Sequence, residues 1–126
     1  MAGEATQERF FKLAELPDVA LVDGVTARFV NGERMMFSFV RLAPGKEVPL
    51  HSHPHEQLGH IIEGSLLMTI AGEEREIGPG DAYVIPGGVP HKAIGGPQGG
   101  LALDVFVPVR EDYVELARQQ AQRGTE

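Results

Sequence analysis

Apolar residues in this chain come in short stretches, several of them alternating with polar residues, and nearly every stretch ends at a glycine or proline. Residues 25–30, 35–42, 57–62, 66–71, 82–85, 91–94 and 101–107 are rich in β-branched, aromatic and aliphatic side chains and read as strands. Between them, Asn31-Gly32, Pro44-Gly45, Glu63-Gly64, Ala71-Gly72, Pro79-Gly80 and Pro86-Gly87-Gly88 supply turn chemistry at short intervals. This punctuation predicts an all-β sandwich or barrel. In 66–71, Leu66, Met68 and Ile70 share one face by the two-residue period and are assigned to the core, with Met35, Met36 and Met68 as strand packing. The run Glu73-Glu74-Arg75-Glu76 reads as a solvated hairpin. Two segments carry helical signals: 6–16, stopped by Pro17, and 112–122, where Asp112 is placed to cap and Glu115 follows three residues on. They are expected as appendages, with frayed ends at 1–5 and 123–126.

Composition narrows the class. A chain of 126 residues, 42% hydrophobic and 23% charged, is sized for one domain with one core and contains no apolar run long enough to span a membrane. With no cysteine, disulfides, thiolate nucleophiles and Cys-based zinc sites are excluded, so any metal must use His, carboxylate or amide ligands. A formal charge of −7 without a basic stripe argues against nucleic acid. Glu4, Glu8 and Glu15 interrupt the N-terminal stretch, unlike a signal peptide, and a cytoplasmic location is expected.

The candidate chemistry lies in the histidines. His51, His53, His55 and His60 fall within ten residues, and His91 lies far downstream beside a Pro/Gly turn. On a strand, two residues in His-x-His point the same way about 6 to 7 Å apart, close enough for both imidazoles to reach one ion. The alternative for any one of them is a solvated loop histidine beside prolines. The His51/His53 pair, with Gln57 four residues on and His91 in a turn-bounded strand, favours a metal site. His60 has the opposite strand parity to Gln57, and the chain bends at Pro54-His55, so His55 and His60 are assigned to the surface, a pocket rim or an interface.

Gly45-(x)5-His51-x-His53-(x)3-Gln57-(x)6-Gly64 resembles the first cupin motif, with Gln57 where most cupins have Glu. Gly80-(x)5-Pro86-x-Gly88-(x)2-His91 resembles the second, with Gly95 in place of the usual Asn. The resemblance implies one cupin domain over 1–126. Its fold would be a double-stranded β-helix, a jelly-roll barrel over about 25–110, with short helical segments at both ends. It also implies one divalent transition metal per chain, Ni, Zn, Fe or Mn, held by His51, His53, Gln57 and His91. Residues 103–113, taken with 51–58 and 81–86, are further similar to the pectin degradation cupins, which linearise 4,5-unsaturated monouronates. By position, the family's aspartate, phenylalanine and arginine carry over to Asp104, Phe106 and Arg110.

On that basis the expected activity is metal-dependent ring opening of an anionic unsaturated sugar. Asp104 would take the anomeric hydroxyl proton, Arg110 would fix the substrate carboxylate through a two-pronged hydrogen bond, and Phe106 would pack on the sugar face. Three imidazoles and an amide, all neutral, leave the full 2+ charge on the ion. That disfavours Fe(II) oxidation and favours anion binding, so a cupin dioxygenase or a noncatalytic binding module stands second. Alternation alone points the other way for Asp104, since Leu101, Leu103, Val105 and Val107 form the more apolar face. If Asp104 and Phe106 face the pocket, the Leu/Val face needs cover from the N-terminal segment or from a second copy, and a homodimer is expected.

Overall fold

A computed structural model describes residues 8–124. Eight strands form one continuous hydrogen-bonded sheet: β1 (Val19–Val22), β2 (Val25–Asn31), β3 (Met36–Leu42), β4 (Glu47–His51), β5 (Glu56–Ile70), β6 (Glu73–Ile77), β7 (Ala82–Ile85) and β8 (His91–Val107). A helix, α1 (Glu111–Gly124), follows. The order is β1-β2-β3-β8-β5-β6, with β4 also paired to β8 and β7 to β5.

Two long strands organise the barrel. The pairs 57–62 and 66–71, and 91–94 and 101–107, each expected as separate strands, run together as β5 and β8. Both change partners partway. The start of β5 pairs β7 and the end of β8, while its second half pairs β6 and the start of β8. Likewise β8 pairs β4 with its first residues and β3 with its last. Register shifts between Ile61 and Glu63 and between Gly64 and Leu66 bend the pair where the two halves meet, as bulges do. Gly95, the departure from the usual cupin Asn, sits at this bend: a Cβ there would lie 2.3 Å from the Ala43 carbonyl oxygen, so no side chain fits without moving backbone.

Inward residues of both halves meet in a core of Val25, Ala27, Val40, Leu42, Ile61, Leu66, Met68, Ile85, Ala93 and Ala102. Leu66 and Met68 are buried as expected and Ile70 is half-buried. Met36 is buried, but Met35, just before β3, is 50% exposed. Strand β6 is solvated along Glu73 to Glu76.

The N-terminal helix expected over 6–16 does not form across the described residues, and residues 6 and 7 lie outside them. A single 3-10 turn, Leu13–Glu15, stands in its place. It has no side-chain cap, buries no residue, and Phe10 is 90% exposed, so nothing offsets the cost of nucleating a helix. Helix α1 does form, one residue early and without the expected capping box. The Arg110 carbonyl accepts from the Tyr113 and Val114 amides, Asp112 turns back to Arg110, and Glu115 is taken by Arg118 and Gln119. Gln120 ties the helix to β1, accepting from the Ala20 amide and donating to its carbonyl, both at 2.8 Å. Among the described residues no helix is long and apolar enough to cross a membrane.

Candidate metal centre and substrate pocket

His51 ends β4 and pairs in register with His91, the first residue of β8. His53 lies beyond the strand, contrary to a shared-strand geometry for His-x-His. It is held instead by the loop ahead of His91, whose Gly88 amide donates to the His53 carbonyl at 2.8 Å. The three rings converge: centroids are 4.3 Å apart for His51–His91, 4.8 Å for His53–His91 and 5.5 Å for His51–His53. Their potential ligand nitrogens all lie within 4.8 Å of one another.

The surrounding hydrogen bonds prepare these nitrogens for a cation. Each Nδ1 faces a backbone carbonyl, that of Pro49 for His51 (2.8 Å), of His55 for His53 (3.1 Å) and of Val89 for His91 (2.8 Å). A carbonyl only accepts, so Nδ1 of His51 and of His91 carries the proton and their Nε2 atoms present the lone pair a metal ligand needs. His91 Nε2 is buried and has no protein partner. His53 Nε2 faces Gln57 Oε1 at 3.1 Å. The Gln57 amide also bonds the Asp104 carboxylate, which only accepts, so its NH2 points there and its oxygen points at His53. An orphaned buried nitrogen on His91, with the His51 and His53 rings converging on it, fits one divalent ion. Burial, with Arg110 and His91 nearby, pushes His53 down to about 4, and burial also lowers His91, so both rings are neutral and free to ligate.

Beyond the histidines, two transverse rows line the interior. Met36, Phe106, Gln57 and Ile85 are register partners across β3, β8, β5 and β7. Ser38, Asp104, Gly59 and Tyr83 form the next row. Asp104 and Phe106 are therefore inside, and the alternation of Leu101, Leu103, Val105 and Val107 misleads. Asp104 is 6% exposed and Phe106 2%, whereas Val107 is 39% exposed. Burial raises the Asp104 carboxyl to about 6, against the opposing pull of hydrogen bonds from Tyr83 and Gln57 and of the Arg110 and His60 charges.

Arg110 is buried at the C-terminal end of this wall. Its guanidinium stacks 3.7 Å above the Tyr113 ring and 5.1 Å from the Phe106 centroid. Phe106 in turn packs edge-on against His53 and Tyr113. The expected two-pronged hold on a ligand meets a competitor, because Nε and Nη2 already donate to Asp112 at 3.2 and 2.7 Å. His51, Gln57, Tyr83, His91, Asp104, Phe106, Arg110 and Tyr113 all line one cavity of about 50 Å³. His60 is exposed on the outer face and His55 is half-buried beside His53, as expected of non-ligands. Sequence reasoning singled out neither Tyr83 nor Tyr113 nor Gly59. Parity with Ile85 could have turned Tyr83 inward, but nothing in the sequence reports the strand register that sets it opposite Gly59.

A double-stranded β-barrel with three imidazoles converging at its open end defines the cupin class, and residues 38–97 match the cupin domain family. The chain belongs to the cupin family. It is 30% identical over 84% of its length to the pectin degradation protein KdgF of Dickeya dadantii, covering 98% of that protein. The structure of KdgF from Halomonas sp. superposes with a TM-score of 0.79 at 28% identity, over 85% of this chain and 99% of that one. Oxalate decarboxylase from Bacillus subtilis, described with Mn(II) centres, matches with a TM-score of 0.71 at 27% identity, over 81% of this chain and 30% of that one.

Proposed function

We propose that this cupin is a metal-dependent enzyme that opens the ring of 4,5-unsaturated monouronates released from pectin or alginate. The observation that carries this reading is one cavity lined by His51, Gln57 and His91, with His53 converging on the two other imidazoles, beside a buried carboxylate, Asp104, and a buried guanidinium, Arg110. Similarity to two pectin degradation proteins over most of the chain supports it.

A divalent ion bound there supplies Lewis-acid stabilisation of the negative charge that grows on oxygen as the ring opens. Arg110 meets the substrate carboxylate with the N–H groups that Asp112 leaves available, and Phe106 lies against the sugar. Asp104 accepts the proton of the anomeric hydroxyl. As the anomeric carbon becomes an aldehyde, its bond to the ring oxygen breaks, and that electron pair leaves as the enolate of an α-keto acid. Protonation at the former alkene carbon completes the linear keto acid, so the reaction is an isomerisation that consumes neither oxidant nor reductant. Burial that weakens proton release from Asp104 also makes it a better base than a solvated aspartate.

The test is direct. Freshly generated 4,5-unsaturated monouronate should lose its ultraviolet absorbance faster with metal-loaded protein than in buffer, and equally fast without oxygen. A metal-loaded sample that gives no acceleration defeats the reading, and oxygen-dependent turnover replaces it with a dioxygenase.

We also infer a homodimer through the outer face of the same strands. Phe37, Val105, Leu58 and Val84 form a single transverse apolar row in register across β3, β8, β5 and β7. Phe37, Leu58 and Val84 are 42%, 45% and 56% exposed, so among the described residues the stretch 8–18 before β1 leaves this row uncovered. Sedimentation at micromolar concentration should give twice the chain mass.

A further inference from the structure

Directly behind Asp104 the interior holds a contact that the proposed chemistry does not use. The Tyr83 hydroxyl donates to Asp104 Oδ1 at 2.5 Å, within the distance range of a charge-assisted O–H···O⁻ bond. The two residues stand on β7 and β8, on either side of β5, and both are register partners of Gly59. A Cβ on Gly59 would lie 2.2 Å from Asp104 Oδ1 and 2.5 Å from the Tyr83 hydroxyl oxygen. The hydrogen bond passes over the Gly59 backbone in the space a side chain would fill. Burial and the Asp104 charge push the phenol upward, so it keeps its proton and can only donate to the carboxylate.

We propose that Tyr83 is the positioning residue for Asp104, and that Gly59 is the gap that lets the two meet across β5. Tyr83 holds Oδ1 and Gln57 bonds the same carboxylate, so the side chain is fixed in one rotamer. An aspartate without this tether would lose its fixed aim at the anomeric hydroxyl, and rate depends steeply on such placement. The inference rests on the proposed role of Asp104, and its test separates the two.

In metal-loaded protein, Tyr83→Phe should lower kcat about 10- to 100-fold, the scale of one hydrogen bond to a charged group, with bound metal unchanged and KM within about threefold. Gly59→Ala keeps the hydroxyl but fills the gap, and should give a loss of the same kind. In an Asp104→Asn background, adding Tyr83→Phe should cost less than about twofold more, because the two act as one unit. Proton NMR supplies a readout free of substrate: the Tyr83 hydroxyl should give a downfield, slowly exchanging resonance that disappears in Tyr83→Phe and shifts in Asp104→Asn. Unchanged kcat in Tyr83→Phe, equal losses in both backgrounds, or no such resonance in the wild type each overturn the proposal. Should Tyr83→Phe fail to fold, a Gly59→Ala variant with wild-type kcat overturns it equally. A wild type that shows the resonance but turns over no unsaturated uronate defeats the assigned reaction and leaves the Tyr83–Asp104 pair standing.

Discussion

The centre and the edge of the sheet obey opposite rules. At the β6 edge, the second half of β5 and β6 follow ordinary amphipathic logic, with Leu66 and Met68 buried and Glu73 to Glu76 in solvent. In the centre the polarity is inverted. The inner row Ser38–Asp104–Gly59–Tyr83 is polar, and the adjacent outer row Phe37–Val105–Leu58–Val84 is wholly apolar. Burying a carboxylate costs free energy unless hydrogen bonds and charges compensate, and exposing a row of large apolar side chains forgoes their burial. The proposed ligand site and the proposed dimer surface thus use the two faces of the same four strands.

The largest effects should come from dismantling the inner face. His91→Ala removes a nitrogen with no protein partner and should weaken metal binding at least as much as the roughly 10- to 100-fold that follows loss of an outer-shell group, read as ions retained per chain after dialysis. Metal at 100 times its Kd should stabilise the wild type by about 2.7 kcal/mol, reversed by chelator and reduced in this variant. Asp104→Asn should lower kcat about 10²- to 10⁴-fold with metal retained. Arg110→Lys, which gives up the planar fork and the stack on Tyr113, should raise KM about tenfold.

Breaking the outer face should leave chemistry intact and change mass. Phe37→Lys should halve the sedimenting mass while the metal stoichiometry holds. A variant that remains dimeric sinks the proposed interface.

The smallest effects lie at the rim. Burial tends to raise the Asp112 carboxyl, but the Arg110 hydrogen bonds and charge outweigh it and hold it below the ordinary 3.8. A depressed carboxylate contributes stability above its unfolded value, and that contribution is lost as pH falls through the folded one. Asp112→Asn should therefore cost under about 1 kcal/mol near neutral pH, because the aspartate is largely exposed and screened. The difference between variant and wild type should fade as pH falls below the ordinary 3.8, as followed by thermal melts. Glu74→Gln at the amphipathic edge should change melting by no more than about 0.5 kcal/mol.

How much was legible depended on whether the signal was local. Turn chemistry and two-residue periods marked most strands, and the histidine cluster at 51–60 was visible as spacing. Strand β4 escaped notice because it is five residues long, contains Pro49 and buries little. The expected helix over 6–16 failed because an apolar pattern forms a helix only where a surface buries it, and Leu13–Glu15 buries no residue. Asp104 was the sharpest conflict: its own strand alternates as though it faced solvent, and only motif resemblance turned it inward.

By itself, the sequence determined what acts locally: a β-rich chain closed by Gly and Pro turns, and three candidate donors, His51, His53 and Gln57, close together along the chain. The tertiary structure decided everything that depends on register. It brought His91 opposite His51, turned the Gln57 oxygen toward His53, seated Arg110 against Asp112 and set Tyr83 and Asp104 on either side of Gly59. The reason is physical: strand pairing joins residues tens of positions apart, and a slip of one residue would exchange the two faces of the sheet.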